Sequence, residues 1–133
     1  LVDYGIIETS KDLSTPERLV EIEQDIHALL KEFSPQAIAM EMPFFSRQIK
    51  AAGGVMQALG VINLVIYREK GIQPVFLHQS SWKCHLGNGK ADKAEVAAMV
   101  QNFFGLEDLP IDDSVDAIAI ALAGLNGVRN DIG

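Results

Sequence analysis

Residues 35–43, Pro35-Gln36-Ala37-Ile38-Ala39-Met40-Glu41-Met42-Pro43, form a short apolar run closed by proline at both ends and interrupted by one charge, Glu41. A run of this length reads as a buried parallel strand over 37–42. On its N-terminal side, Ser14 or Thr15 offers an N-cap and Pro16 suits a first helical turn. Leu19, Ile22, Ile26, Leu29, Leu30 and Phe33 then recur at helical spacing, which predicts an amphipathic helix ending before Pro35. On its C-terminal side a second helix is expected over 48–70. Its apolar stretch at 53–67 contains Gln57 and Asn63 and is too short to cross a bilayer, so it is read as a buried helix. Residues 74–78 read as another strand, and Gly87-Asn88-Gly89 breaks the chain. Asp92 can cap a helix carrying Val96, Met99, Val100 and Phe103, and Asp112 or Asp113 opens a last helix with Val115, Ile118, Ala119 and Leu122 facing inward. Residues 2–9, β-branched at their centre, are expected as an edge strand. Strands alternating with helices imply an α/β architecture with a parallel sheet, in a single domain over 1–133.

Composition narrows the class. A hydrophobic fraction of 48% and an aromatic fraction of 7% describe an ordinary globular core. The lone Cys84 excludes an internal disulfide framework, and no secretory signal is present, which predicts a cytoplasmic protein without a membrane role. Eighteen acids against 11 bases give a formal charge of −7, which repels a polyanion unless the charges are segregated. The bases do cluster: Arg47 with Lys50, and Lys83 with Lys90 and Lys93. Either group can equally be solvated surface.

Three carboxylates occupy positions that call for a chemical explanation. Glu41 ends an apolar strand, where an ionised side chain is costly unless it meets a cation or the open edge of the sheet, the edge where α/β sheets bind ligands. Asp113 and Asp116 lie three apart and so share a helix face, where mutual repulsion suggests a common cation. Oxygen ligands alone suit magnesium or manganese. Spacing alone is also accounted for by helix capping at the aspartates and by a buried salt bridge at Glu41. His27, His78 and His85 do not pair at metal-ligand spacing and are assigned to structure, although His85 beside Lys83 and Cys84 could approach a site.

The segment Ala39-Met40-Glu41-Met42-Pro43-Phe44-Phe45 resembles the strand of RuvC-type Holliday-junction resolvases that ends in a catalytic glutamate with an aromatic three residues later. Gly87-Asn88-Gly89-Lys90-Ala91-Asp92-Lys93-Ala94-Glu95-Val96 is similar to that family's glycine loop and lysine-bearing helix. Asp113-Ser114-Val115-Asp116-Ala117-Ile118-Ala119-Ile120-Ala121 resembles its final D-x-x-D-A-x-A-x-A helix. The resemblance implies a ribonuclease H-like mixed sheet flanked by helices, and metal-dependent hydrolysis of four-way DNA junctions by a homodimer, with branch-migration proteins as partners. It implies Glu41, Asp113 and Asp116 as catalytic acids and ligands for magnesium or manganese, and Lys93 and Lys83 beside the scissile phosphate. Phe44 would stack on an unpaired base, and Arg47, Lys50 and Lys90 would contact DNA.

The sequence departs from the family pattern in two places. The family opens with a G-I-D-P-G strand that carries a first catalytic aspartate, followed by a second strand, whereas residues 1–9 match only the third. The N-terminal strands are therefore expected to be missing, and Asp3 is not assigned the aspartate's role. Leu59 stands where arginine is common. These departures keep open a catalytically inactive ribonuclease H-like module that binds nucleic acid or protein, and a related nuclease acting on another branched or RNA-containing substrate.

Overall fold

The structure, a computed structural model, describes residues 1–43, 49–108 and 112–127. In chain order the elements are α1 (Thr15–Phe33), β1 (Ala39–Glu41), α2 (Ile49–Lys70), β2 (Val75–Leu77), α3 (Gln79–His85), α4 (Lys93–Phe104) and α5 (Asp112–Leu125). They fall into two compact units. One contains Leu1–Ile6, Ala39–Met42 and the described chain from Val75 onward, and the other contains Ile7–Ile38 and Pro43–Pro74.

In the first unit β1 and β2 pair in parallel, with Ala39 opposite Val75, Met40 opposite Phe76 and Glu41 opposite Leu77. The Met42 amide extends the ladder by donating to the Leu77 carbonyl at 2.8 Å. Parallel neighbours require a long connection, and the chain passes through α2 between them. Leu77, Trp82, Val96 and Val100 are fully buried and form one core with Val115, Ile118, Ala119, Ile120 and Ala123. The last five lie on α5, which packs on β1, β2, α3 and α4. Gly124 permits the approach to β1, because a Cβ there would lie 2.8 Å from the Ala39 Cβ.

Local signals set the helix ends. Asp92 caps α4 in a reciprocal box with Glu95, and Gly105 closes that helix at φ 64, a left-handed conformation suited to glycine. Burial of Val115, Ile118 and Ala119 matches the face expected from spacing. The α4 face is rotated from expectation: Phe103 is 65% exposed, and Phe104, four residues after Val100, packs on the core instead. The short helix α3 has no apolar period of its own and went unpredicted.

Residues 2–9 correct a second expectation. They form no strand, because a strand exists only through ladder bonds to a neighbour, and among the described residues the sole ladder joins β1 to β2. Among the described residues the sheet is two-stranded and parallel. The N-terminal segment is held by Ser114, whose buried hydroxyl donates to the Gly5 carbonyl at 3.1 Å.

In the second unit α1 packs on α2 around buried Leu30, Val65 and Ile66. Ser14, rather than Thr15, is the N-cap, in a box with Glu17, while Pro16 sits in the first turn. Leu29 and Phe33, expected inward, are 40% and 41% exposed. Between the two helices His27 Nδ1 lies 3.1 Å from Glu69 Oε1, and the Lys70 ammonium donates to the Ser34 hydroxyl at 3.3 Å. This places His27 in a structural role. Among the described residues no helix is long and apolar enough to cross a membrane.

Candidate active site

Glu41 is the last residue of β1, at the C-terminal edge of the parallel pair, with its side chain half-buried. Its backbone is fixed by the β2 ladder, and its carboxylate accepts a hydrogen bond from the Trp82 indole, Nε1 to Oε1 at 3.3 Å. Burial pushes the Glu41 carboxyl above its ordinary value, and the Trp82 hydrogen bond pulls the other way. The negative charge of Asp116 adds to the rise, and the Lys83 ammonium offsets part of it. Three side chains from α3 and α5 thus act on one strand-end carboxylate. Lys83 is further held over the Trp82 ring, its ammonium 5.7 Å from the centroid, a cation–π arrangement.

The structure therefore brings together Glu41, Asp116 and Lys83 from the residues singled out in the sequence. Asp113 lies one turn before Asp116 on α5 and is exposed. No three His, Cys, Asp or Glu side chains among the described residues converge as a ligand set, so the expected meeting of Glu41, Asp113 and Asp116 narrows to the Glu41–Asp116 pair. Lys93 occupies the exposed first position of α4, and Lys90 lies exposed in the preceding turn, where its amide donates to Asn88 Oδ1 at 3.0 Å. Neither is among the groups acting on Glu41. Phe44 and Arg47 lie outside the described residues, as does the side chain of Lys50. Leu59 is half-buried within α2. His85, at the end of α3, is exposed and pairs with Asn126 at 3.1 Å rather than with the carboxylates.

Trp82 was not foreseen. The available signal was the sequence's one tryptophan placed directly before Lys83, just after a predicted strand. An apolar groove where residues 1–5 meet Phe103, Phe104 and α5 contains neither Glu41 nor Asp116, and its lining is largely hydrocarbon, with Asp3, Tyr4 and Asn126 as its polar members.

Two half-buried carboxylates drawn together, with oxygen as the only donor atom, fit a hard divalent cation. Magnesium is commonly held by one or two carboxylates, with water and phosphate oxygens completing its shell. Without a cation, burial and the neighbouring Asp116 disfavour the ionised form of Glu41, and this gives a measurable result. A carboxyl whose folded value is raised binds its proton more tightly in the folded chain. The resulting stabilisation is complete below the unfolded value and is lost as pH rises through the folded one. Glu41→Gln removes the ionisation, so the metal-free variant should melt above the parent at neutral pH. The difference should close at about pH 4, where the parental carboxyl is itself protonated. A Gln variant that melts below the parent at neutral pH would contradict this account.

A family model of crossover junction endodeoxyribonuclease RuvC matches residues 1–124. The crossover junction endodeoxyribonuclease RuvC of Synechocystis sp. is 96% identical over 133 residues, spanning 100% of this chain and 80% of the relative. That of Fusobacterium nucleatum is 38% identical over 134 residues, spanning 99% and 70%. Among solved structures, Thermus thermophilus RuvC in complex with a Holliday junction substrate superimposes with a TM-score of 0.80 at 30% identity, covering 93% of this chain and 79% of that one. A second Thermus thermophilus RuvC structure gives 0.79 at 32% identity, covering 93% and 78%. The architecture is thus the ribonuclease H-like α/β fold, and the chain belongs to the RuvC family of crossover junction endodeoxyribonucleases.

Proposed function

We propose that this chain is a structure-selective DNA endonuclease that resolves four-way junctions by metal-dependent phosphodiester hydrolysis, its two units forming one nuclease domain. The observation that carries this reading is the Glu41–Asp116 pair at the C-terminal edge of β1 with Lys83 beside it, in a chain of the RuvC family. The matched Thermus thermophilus complex, which holds a Holliday junction, supports the choice of substrate.

Glu41 and Asp116 would hold magnesium or manganese, with Asp113, one turn earlier on α5, available as a further ligand. The bound ion would lower the pKa of a water and offset charge on the phosphate. The chain's own groups do the rest. Lys83 places a positive charge beside the carboxylates, where negative charge on a phosphate would otherwise be repelled. Lys93, Lys90, Lys50 and Arg47 would contact the DNA backbone, and Phe44 would stack on a base at the junction centre.

A homodimer is part of this reading, because a four-way junction has approximate twofold symmetry and a twofold dimer presents two sites to it. Support comes from α2, where exposed Met56, Leu64 and Tyr67 share one face with exposed Gly53 and Gly60. Branch-migration proteins are proposed as partners on family membership alone. A cytoplasmic location rests on the exposed free thiol of Cys84, which suits a reducing compartment.

The test is direct. The full-length protein, incubated with an end-labelled four-way junction and magnesium, should release paired nicked duplexes while leaving linear duplex intact. Absence of cleavage with both magnesium and manganese would favour the inactive binding module. Cleavage of flaps or RNA–DNA hybrids in preference to junctions would point to a different substrate.

A further inference from the structure

Trp82 is wholly buried, at 0% exposure, in the core with Leu77, Val96 and Val100. Its ring cannot turn away, so its indole N–H is a donor fixed in direction. Indole nitrogen donates and cannot accept, and when buried it usually finds a partner. Here the partner is the carboxylate of Glu41 rather than a backbone carbonyl. Lys83 lies over the face of the same ring and acts electrostatically on the same carboxylate. One side chain therefore serves as a platform for both charged groups: its edge holds the anion and its face the cation.

We propose that Trp82 is a positioning residue for Glu41, its buried N–H holding Oε1 so that Oε2 is oriented to ligate the divalent cation. This rests on the reading of Glu41 as a metal ligand. On β1 alone Glu41 has only its backbone fixed, and its side-chain torsions are free. The indole removes that freedom before the cation arrives. Groups that orient a ligating carboxylate commonly contribute 10- to 100-fold to metal affinity. Because the hydrogen bond joins two side chains of the protein and forms without DNA, the effect belongs to cation binding and not to junction recognition.

Three full-length proteins test it: the parent, Trp82→Phe, which keeps an aromatic ring and loses the donor, and Val96→Ala. Val96, 1% exposed in the same core cluster, controls for a loosened interior because the indole N–H is retained. Trp82→Phe should raise the magnesium concentration for half-maximal cleavage roughly tenfold, with the rate largely recovered at saturating metal. Val96→Ala should lower the melting temperature and leave the magnesium requirement at the parental value. A second readout needs no DNA and no activity. Magnesium added to the parent should change indole emission over the range that supports cleavage, and subtraction of the Trp82→Phe signal isolates this residue. An unchanged magnesium requirement in Trp82→Phe, or one that Val96→Ala shares, overturns the proposal, as does parental emission indifferent to magnesium. If the parent cleaves no junction, the nuclease reading falls by itself, and the emission titration alone then upholds or overturns the role of Trp82.

Discussion

Asp116→Asn is expected to lower single-turnover junction cleavage about a thousandfold, equivalent to several kcal/mol of lost transition-state stabilisation. Asp116 is the carboxylate whose charge acts on Glu41, and the substitution is nearly isosteric, so packing is preserved while one of the two proposed anionic oxygen donors is lost. It also removes the negative charge that helps to raise the Glu41 carboxyl, whose folded value should therefore fall toward the ordinary range. Two consequences distinguish a ligand from a merely structural acid. Junction affinity measured without divalent metal should hold or improve, because a negative charge facing phosphate is gone. Excess magnesium should restore little of the rate. Cleavage within tenfold of the parent at saturating magnesium would remove Asp116 from the site. Asp113→Asn, assayed beside it, reports whether the exposed carboxylate one turn earlier joins the shell when a cation is present. A loss of similar size places it there, and a parental rate leaves the pair to act alone.

The parts of this fold legible in the sequence are those written in local chemistry. Ser14 with Glu17 and Asp92 with Glu95 each satisfy two helix-start amides reciprocally, and such boxes need nothing distant to form. The apolar run ending in Glu41 reads as a strand because its length and bounding prolines leave few alternatives. What could not be read depends on partners far along the chain. Residues 2–9 have strand composition, yet composition provides no hydrogen-bonding neighbour, and among the described residues none pairs with them. Which of Phe103 and Phe104 faces the core is decided by the rotation of α4 against α5, one residue beyond what spacing resolves. The same holds at the site. Glu41 declared itself through charge in an apolar run and Asp116 through its spacing from Asp113, whereas Trp82 looks in the sequence like any core aromatic. Only the fold shows that its one polar atom meets the glutamate, 41 residues away along the chain.

The two lysines that the resemblance places beside the scissile phosphate separate on the same grounds, and Lys83 is the one that acts on the Glu41 carboxylate. Lys83→Ala should slow cleavage at saturating junction by roughly a hundredfold, the usual cost of deleting one preorganised electrostatic contact to developing charge. A second signature follows from its influence on Glu41. The Lys83 ammonium holds the Glu41 carboxyl down, so its loss lets burial and Asp116 raise that carboxyl further. If Glu41 ligates the cation as proposed, the carboxylate this requires is then formed only at higher pH, and the acid limb of the pH–rate profile should move upward in Lys83→Ala, with rate partly regained in alkaline buffer. Lys93→Ala is the comparison. If Lys93 stabilises charge present only in the transition state, cleavage should slow while junction affinity is kept, and the acid limb should stay in place, because Lys93 is not among the groups acting on Glu41. Lys90→Ala should instead weaken binding and flatten its salt dependence, as a phosphate contact does. Single-turnover rates across pH, with junction titrations at two salt concentrations, resolve all three. A parental rate and profile for Lys83→Ala would return that residue to the surface of the indole it covers, and a parental rate for Lys93→Ala would return Lys93 to solvated helix.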